Sequence, residues 1–187
     1  MALIEMDDQE KLLRLLDKDV LKENLAKAGL YVLAYEMLKD AIIDRPKGFF
    51  TMGRPTDEHY KEVVLNLHPR NTLIASLRWW QQAGVLTEQE FQDFLQLREH
   101  RNEIAHTLPN LLLKPDVQID ERKLVTIYQL LVKVDRWWLM EIEIPCNEDF
   151  DGQEIDPSEV QSGYMNFLGY LISVLYPAND SRQDRSA

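Results

Sequence analysis

The chain has 187 residues, 45% of them hydrophobic and 28% charged, with a formal net charge of −11. That length suits one domain with a sizeable core, and the composition is that of a globular protein. The acidic balance argues against a general nucleic-acid coat, which needs a basic stripe to displace counterions, and the single cysteine, Cys146, leaves neither an intrachain disulfide nor a structural zinc set.

Met1–Asp8 lacks the basic-then-apolar pattern of a leader, and no apolar run approaches the roughly 20 residues needed to span a bilayer. The expected location is cytoplasmic, with no membrane partner. Residues 3–17 read as a short amphipathic segment with Ile4, Leu12, Leu13, Leu15 and Leu16. A helix over about 19–44 follows from Val20, Leu21, Leu25, Ala28, Tyr31, Val32, Tyr35, Leu38 and Ile42 at helical spacing. Arg45-Pro46-Lys47-Gly48 predicts its end, and 46–56 reads as a loop carrying Phe49 and Phe50. A short helix from Asp57 to Leu67 closes at His68-Pro69, and another from Asn71 to Ala83 stops at Gly84.

Thr87 with Glu90 three residues on is a capping-box signature for a helix ending near Pro109. A loop over about 110–119 leads to Asp120, the cap of a long helix through Val125, Ile127, Leu130, Leu131, Val134, Trp137, Trp138 and Met140, closed by Pro145. The acidic loop Asn147–Asp156 precedes Asp156-Pro157-Ser158-Glu159, which carries cap, first-turn proline and third-position glutamate for a last helix ending at Tyr176-Pro177. No strand alternation, repeat or interdomain linker stands out. The expected fold is all-α: a single-domain helical bundle over 1–177, with a polar, disordered tail over 178–187.

Near the end of the fifth of these segments lies Arg101-Asn102-Glu103-Ile104-Ala105-His106. On a wheel of about 100° per residue, Arg101 falls in the middle of an apolar arc made by Phe91, Phe94, Leu97, Ala105 and Leu108. Ile104 extends that arc, Arg98 sits inside it, and Glu103 lies opposite. Arginine is rarely buried without a partner. Asn102 and His106 are four apart and share the flank of the same arc.

The stretch Leu97–His106 resembles the signature of HEPN domains, small helical proteins marked by an arginine, a following polar residue and a histidine separated from the arginine by four to six residues. The likeness covers about ten residues, and Arg-Asn and Ala-His both fit its common form. It implies a metal-independent endoribonuclease that works without a cofactor as a symmetric homodimer, with both copies of the motif lining one cleft. Residue by residue, Arg101 matches the family arginine, Asn102 the polar follower and His106 the histidine. Such cleavage uses the adjacent 2′-hydroxyl of the RNA substrate as nucleophile and leaves 2′,3′-cyclic phosphate ends. Histidine can move both protons near neutrality, and arginine can grip phosphate oxygens bidentately. Asn102 would orient His106 or bind the sugar. The implied setting is a toxin–antitoxin or defence module, with an antitoxin or inhibitor protein as partner. In one respect the chain departs from the pattern: many family toxins neutralised by a nucleotidyltransferase carry a tyrosine two residues after the histidine, and here Leu108 stands there.

Other readings of the same residues stay open. Arg101 and His106 could answer the negative end of a helix dipole, or Arg101 could pair with a core carboxylate and serve folding alone. The chain would then be a non-catalytic HEPN-like binding or regulatory module, or a scaffold without a ligand. Glu103-x-x-His106 is the pair used in di-iron bundles, but Thr56, Leu65 and Leu97 precede the other histidines at that spacing, so no second copy exists. Asn147–Gly152 brushes against a calcium loop, yet Ser158 stands where its bidentate glutamate belongs. Of each adjacent pair, Trp79-Trp80 and Trp137-Trp138, one ring should enter the core and the other lie at its margin. Arg70, Arg78, Lys114, Arg122 and Lys123 are the cations available to flank an RNA groove.

Overall fold

Ala28, Tyr31, Ala34, Tyr35, Leu38, Ala41 and Ile42 recur at helical spacing and are all buried, making one continuous stripe along the longest helix, α1 (Lys18–Thr51). The computed structural model describes residues 17–51, 58–111 and 119–177, with backbone alone for 107–111. Around α1 stand α2 (Glu58–Val63), α3 (Thr72–Gln82), α4 (Glu88–Leu111), α5 (Glu121–Trp138) and α6 (Gly163–Leu175). All five pack against α1; α5 also packs on α4 and α6, and α3 on α4. The described residues contain no strand, and no helix among them is long and apolar enough to cross a membrane. The fold is all-α, with one main core and a smaller cluster of Tyr60, Val64 and Ala75 where α2 meets α3. The segment expected at 3–17 lies, but for Asp17, outside the described residues, as do most of the 110–119 loop and the tail 178–187.

Pro46 does not end the first helix; α1 runs on through it to Thr51 and carries Phe49 and Phe50. Proline removes the N–H that would bond the carbonyl four residues back, here that of Ile42. The indole N–H of Trp80 donates to that carbonyl at 2.9 Å, and so satisfies a buried acceptor that would otherwise cost about 1–3 kcal/mol. The expected loop is thus helix as far as Thr51, while 52–57 lie outside the described residues.

The local capping signals behave as their chemistry requires. Asn71 caps α3 by accepting from the Ile74 N–H at 3.1 Å, and Gly84, at φ 75°, takes the left-handed turn after it. At α4 the Thr87 N–H donates to Glu90 Oε2 at 2.8 Å, and the Glu90 N–H donates to Thr87 Oγ1 at 3.2 Å. Asp120 caps α5 by accepting from the Arg122 N–H at 3.0 Å. After Trp138 the helix widens into a π turn, Leu139–Glu143, ahead of Pro145.

The last helix starts later than Asp156 suggests. Asp156 accepts from the Ser158 N–H at 2.8 Å and closes only a turn. The working cap is Ser162, whose oxygen accepts from the Met165 N–H at 3.0 Å while its hydroxyl donates to the fully buried Asp135. A tertiary bond to α5 therefore places the start of α6.

Phe91, Phe94, Leu97 and Ile104 of α4, Leu77 and Trp80 of α3, and Ile127, Leu131 and Val134 of α5 close the core around α1, each worth about 1.5–3 kcal/mol of burial. Trp80 and Trp138 are buried while Trp79 and Trp137 sit at the margin, so each pair splits as its angular spacing requires. The four rings meet edge to face or tilted, with centroids 5.0–6.5 Å apart.

Candidate functional site

The buried face of α4 turns as the helix runs along α1. Phe91 and Phe94 point inward in its first half; further on the inward residues are Leu97, the mostly buried His100 and Ile104. Arg98 and Ala105, expected inside one apolar arc, are exposed instead. Two helices that cross stay in contact over a limited length, so an ideal straight stripe is not kept to the end. Leu108 lies outside the residues whose side chains are described.

This rotation sets where the motif sits. Arg101 is half-buried, its side chain 32% exposed, and Nη2 donates to Glu36 Oε1 of α1 at 2.6 Å. Glu36 also takes a hydrogen bond from Lys39, one turn along α1, and Lys39 stands 3.6 Å from Asp40. Burial pushes the Glu36 carboxyl up, but the bonds and charges of Lys39 and Arg101 outweigh it and hold its pKa below the ordinary carboxylate value. The Glu36 hydrogen bond holds the Lys39 ammonium above its usual pKa. Tyr35, beside this group, is pushed up to about 12, chiefly by burial.

Arg101 Nη1 donates to Asn102 Oδ1 at 3.3 Å, so arginine and follower are joined through the guanidinium. The Arg101 Nε is buried and has no hydrogen-bond partner among the described residues. His106 lies one turn beyond Asn102, exposed, and no described residue bonds its ring. The motif is therefore a short edge: a tethered guanidinium, an amide in contact with it and an imidazole open to solvent. Of the five N–H donors of the guanidinium, Glu36 and Asn102 each take one, so an anion reaching this edge would share Arg101 with Glu36.

His100 belongs to the same neighbourhood although no motif marks it. Its ring meets Tyr31 edge to face at 4.9 Å, Nε2 accepts from the Asp120 N–H at 3.4 Å, and Nδ1 stands 3.4 Å from Glu103 Oε2. The Asp120 bond makes Nε2 the acceptor and leaves the proton on Nδ1, facing Glu103. Tyr31 donates to the Leu97 carbonyl at 3.3 Å, and burial first of all raises its pKa above the usual tyrosine value. His100 thus fastens the first turn of α5 to α4.

Sequence reasoning missed Glu36 and His100. Glu36 is 65 residues from Arg101, and the only signal for it was that a half-buried arginine needs a carboxylate. Of the cations considered for an RNA groove, Arg122 and Lys123 stand on the first turn of α5, next to the Asp120–His100 contact. Arg70 and Arg78 belong to the α2–α3 segment, and Arg78 donates to the Leu67 carbonyl at 3.3 Å. Lys114 lies outside the described residues. Among the described residues no group of three or more His, Cys, Asp or Glu is arranged to hold a metal ion. In the acidic loop, Asn147 accepts from the Asp149 N–H at 3.0 Å.

Comparison with protein-family models, with curated proteins and with solved structures finds no match to this chain.

Proposed function

We propose that the chain is a metal-independent endoribonuclease of HEPN type that acts as a homodimer within a toxin–antitoxin or defence module. One observation carries the reading: Arg101, Asn102 and His106 lie within six residues in the second half of α4, with the half-buried guanidinium bonded to Asn102 and the imidazole exposed. In this reading two protomers bring their edges together around one phosphodiester. His106 takes the 2′-hydroxyl proton, that oxygen forms a bond to phosphorus as the bond to the 5′-oxygen breaks, and His106 of the partner subunit protonates the leaving oxygen. Arg101 holds the phosphate oxygens as charge builds on them, and Asn102 orients the imidazole or the sugar.

A second reading has its own support. Glu36 already occupies Arg101 at 2.6 Å, and a net charge of −11 disfavours a polyanion. In that reading the chain is a HEPN-like binding or regulatory module that does not cut. Expression in bacteria beside His106→Ala separates the two: a nuclease arrests growth only with an intact motif, and purified protein yields cyclic-phosphate ends from RNA in the presence of chelator. Equal growth of both strains together with uncut RNA overturns the nuclease and leaves the module.

A further inference from the structure

Along α5 and the π turn that follows it lies an open groove of about 580 Å³, within the roughly 300–1,000 Å³ range of small-molecule sites. Its floor is built from two neighbouring rows of one helix: Tyr128, Val132, Arg136 and Met140 at four-residue intervals, with Lys133 and Trp137 beside them; Pro157 comes from the segment ahead of α6. Most of that floor is apolar. Its two cations differ in how they are used. Lys133 is held by both carboxylate oxygens of Glu90, at 2.7 and 2.8 Å. Arg136 is half-buried, and its Nε is buried with no hydrogen-bond partner. Among the described residues no carboxylate pairs with it, although Glu141 lines the same groove. A place in the last turn of α5 gives its charge a favourable dipole, but that does not satisfy a buried N–H. In a chain of net charge −11, a half-buried arginine that pairs with no carboxylate among the described residues, beside Trp137 and Met140, has donors free for an outside anion.

We propose that this groove binds a small aromatic anion, a planar ring lying against Trp137 and Met140 with one carboxylate or phosphate held by Arg136. Ring stacking and a charge-assisted hydrogen bond act together here. The acidic body restricts the ligand to one anionic group, because a polyanion meets repulsion beyond the groove. The site is independent of the motif on α4 and of the nuclease reading.

The test is titration of the full chain with two probes, adenosine 5′-monophosphate and 1-naphthoate, followed by tryptophan fluorescence and calorimetry, with adenosine and inorganic phosphate as controls. At least one probe should bind with one-to-one saturation, and which one distinguishes phosphate from carboxylate as the anionic group. Each control should bind at least tenfold more weakly, since it lacks the charge or the ring. Arg136→Gln should weaken binding at least tenfold, Arg136→Lys should fall between it and the native chain, and His106→Ala should bind as the native chain does. Failure of both probes, equal binding of adenosine and its monophosphate, or unchanged binding by a folded Arg136→Gln chain overturns the proposal. If Arg136→Gln does not fold, the Arg136→Lys chain and the neutral control decide in its place.

Discussion

Arg45 and Arg101 each reach from one helix to a carboxylate on another, and their surroundings differ. Arg45 of α1 donates to Asp135 of α5 and to Glu143 of the π turn, both at 2.8 Å, and lies 5.8 Å from the Trp138 ring centroid. Asp135 is fully buried, and its second oxygen accepts from the Ser162 hydroxyl that caps α6. One network therefore joins α1, α5 and the start of α6. Arg101 has one acidic partner among the described residues, Glu36, which Lys39 shares, and its Nε is unused. A guanidinium taken up by two carboxylates and a ring holds a fold together. One with a single, shared and part-exposed carboxylate is less fully satisfied.

The largest effect should come from breaking the saturated network. Asp135→Ala leaves Arg45 with Glu143 alone and the Ser162 hydroxyl without its acceptor, and removing one partner of a buried pair costs about 3–5 kcal/mol. Urea unfolding of the variant should show that loss, and a change under about 1 kcal/mol would mean that Asp135 does not organise the three elements. At the other arginine, Glu36→Gln should cost about 1 kcal/mol or less, the scale of a part-exposed ion pair. In the nuclease reading it frees Arg101, so affinity for a short RNA at fixed salt should rise several-fold. A fall would show that Glu36 positions the arginine for RNA instead of competing with it.

Two half-buried carboxylates, Glu36 and Glu90, sharpen the comparison through pH. Burial pushes Glu36 and Glu90 up, but Lys39 and Arg101 for the first, and Lys133 and Thr87 for the second, prevail and hold both below the ordinary value of 4.5. A carboxyl with a lowered folded-state pKa contributes stability that is present above its unfolded value and is lost as pH falls through the folded one. Thermal stability should therefore drop below about pH 4.5, and Glu36→Gln should flatten part of that drop. Tyr35 works in the opposite direction. Its pKa is raised from 10.0 to about 12 by burial before all else, so its contribution is complete below pH 10 and is lost as pH rises through about 12. An unchanged alkaline fall in Tyr35→Phe would show that other groups cause it. The smallest effect belongs to Arg98, which is exposed: Arg98→Ala should stay within about 0.5 kcal/mol of the native chain, whereas an arginine inside the apolar arc would give a larger change.

Much of the fold was legible because its signals are local. Thr87 and Glu90 lie three residues apart, Asn71 and Asp120 bond backbone within their own first turns, and Gly84 adopts its positive φ in the turn that follows α3. The motif's placement was legible in part. Arg101 was recognised as a residue in need of a partner, but the arc drawn for α4 assumed a straight stripe and put Arg98 and Ala105 inside it. The helix turns its buried side toward His100 and Ile104, a shift that depends on how α4 lies against α1.

The amino-acid order alone determined that this chain is helical, where most helices begin, and that one tryptophan of each pair goes inward, because period and capping act within a few residues. Tertiary structure decided the rest. Trp80 supplies the bond that lets α1 pass Pro46, Asp135 moves the start of α6 to Ser162, and Glu36 claims Arg101 from another helix. In each case a buried or half-buried polar group found its partner on a distant stretch of the chain, between residues separated by 38, 27 and 65 positions. No window of neighbouring residues contains both members of such a pair.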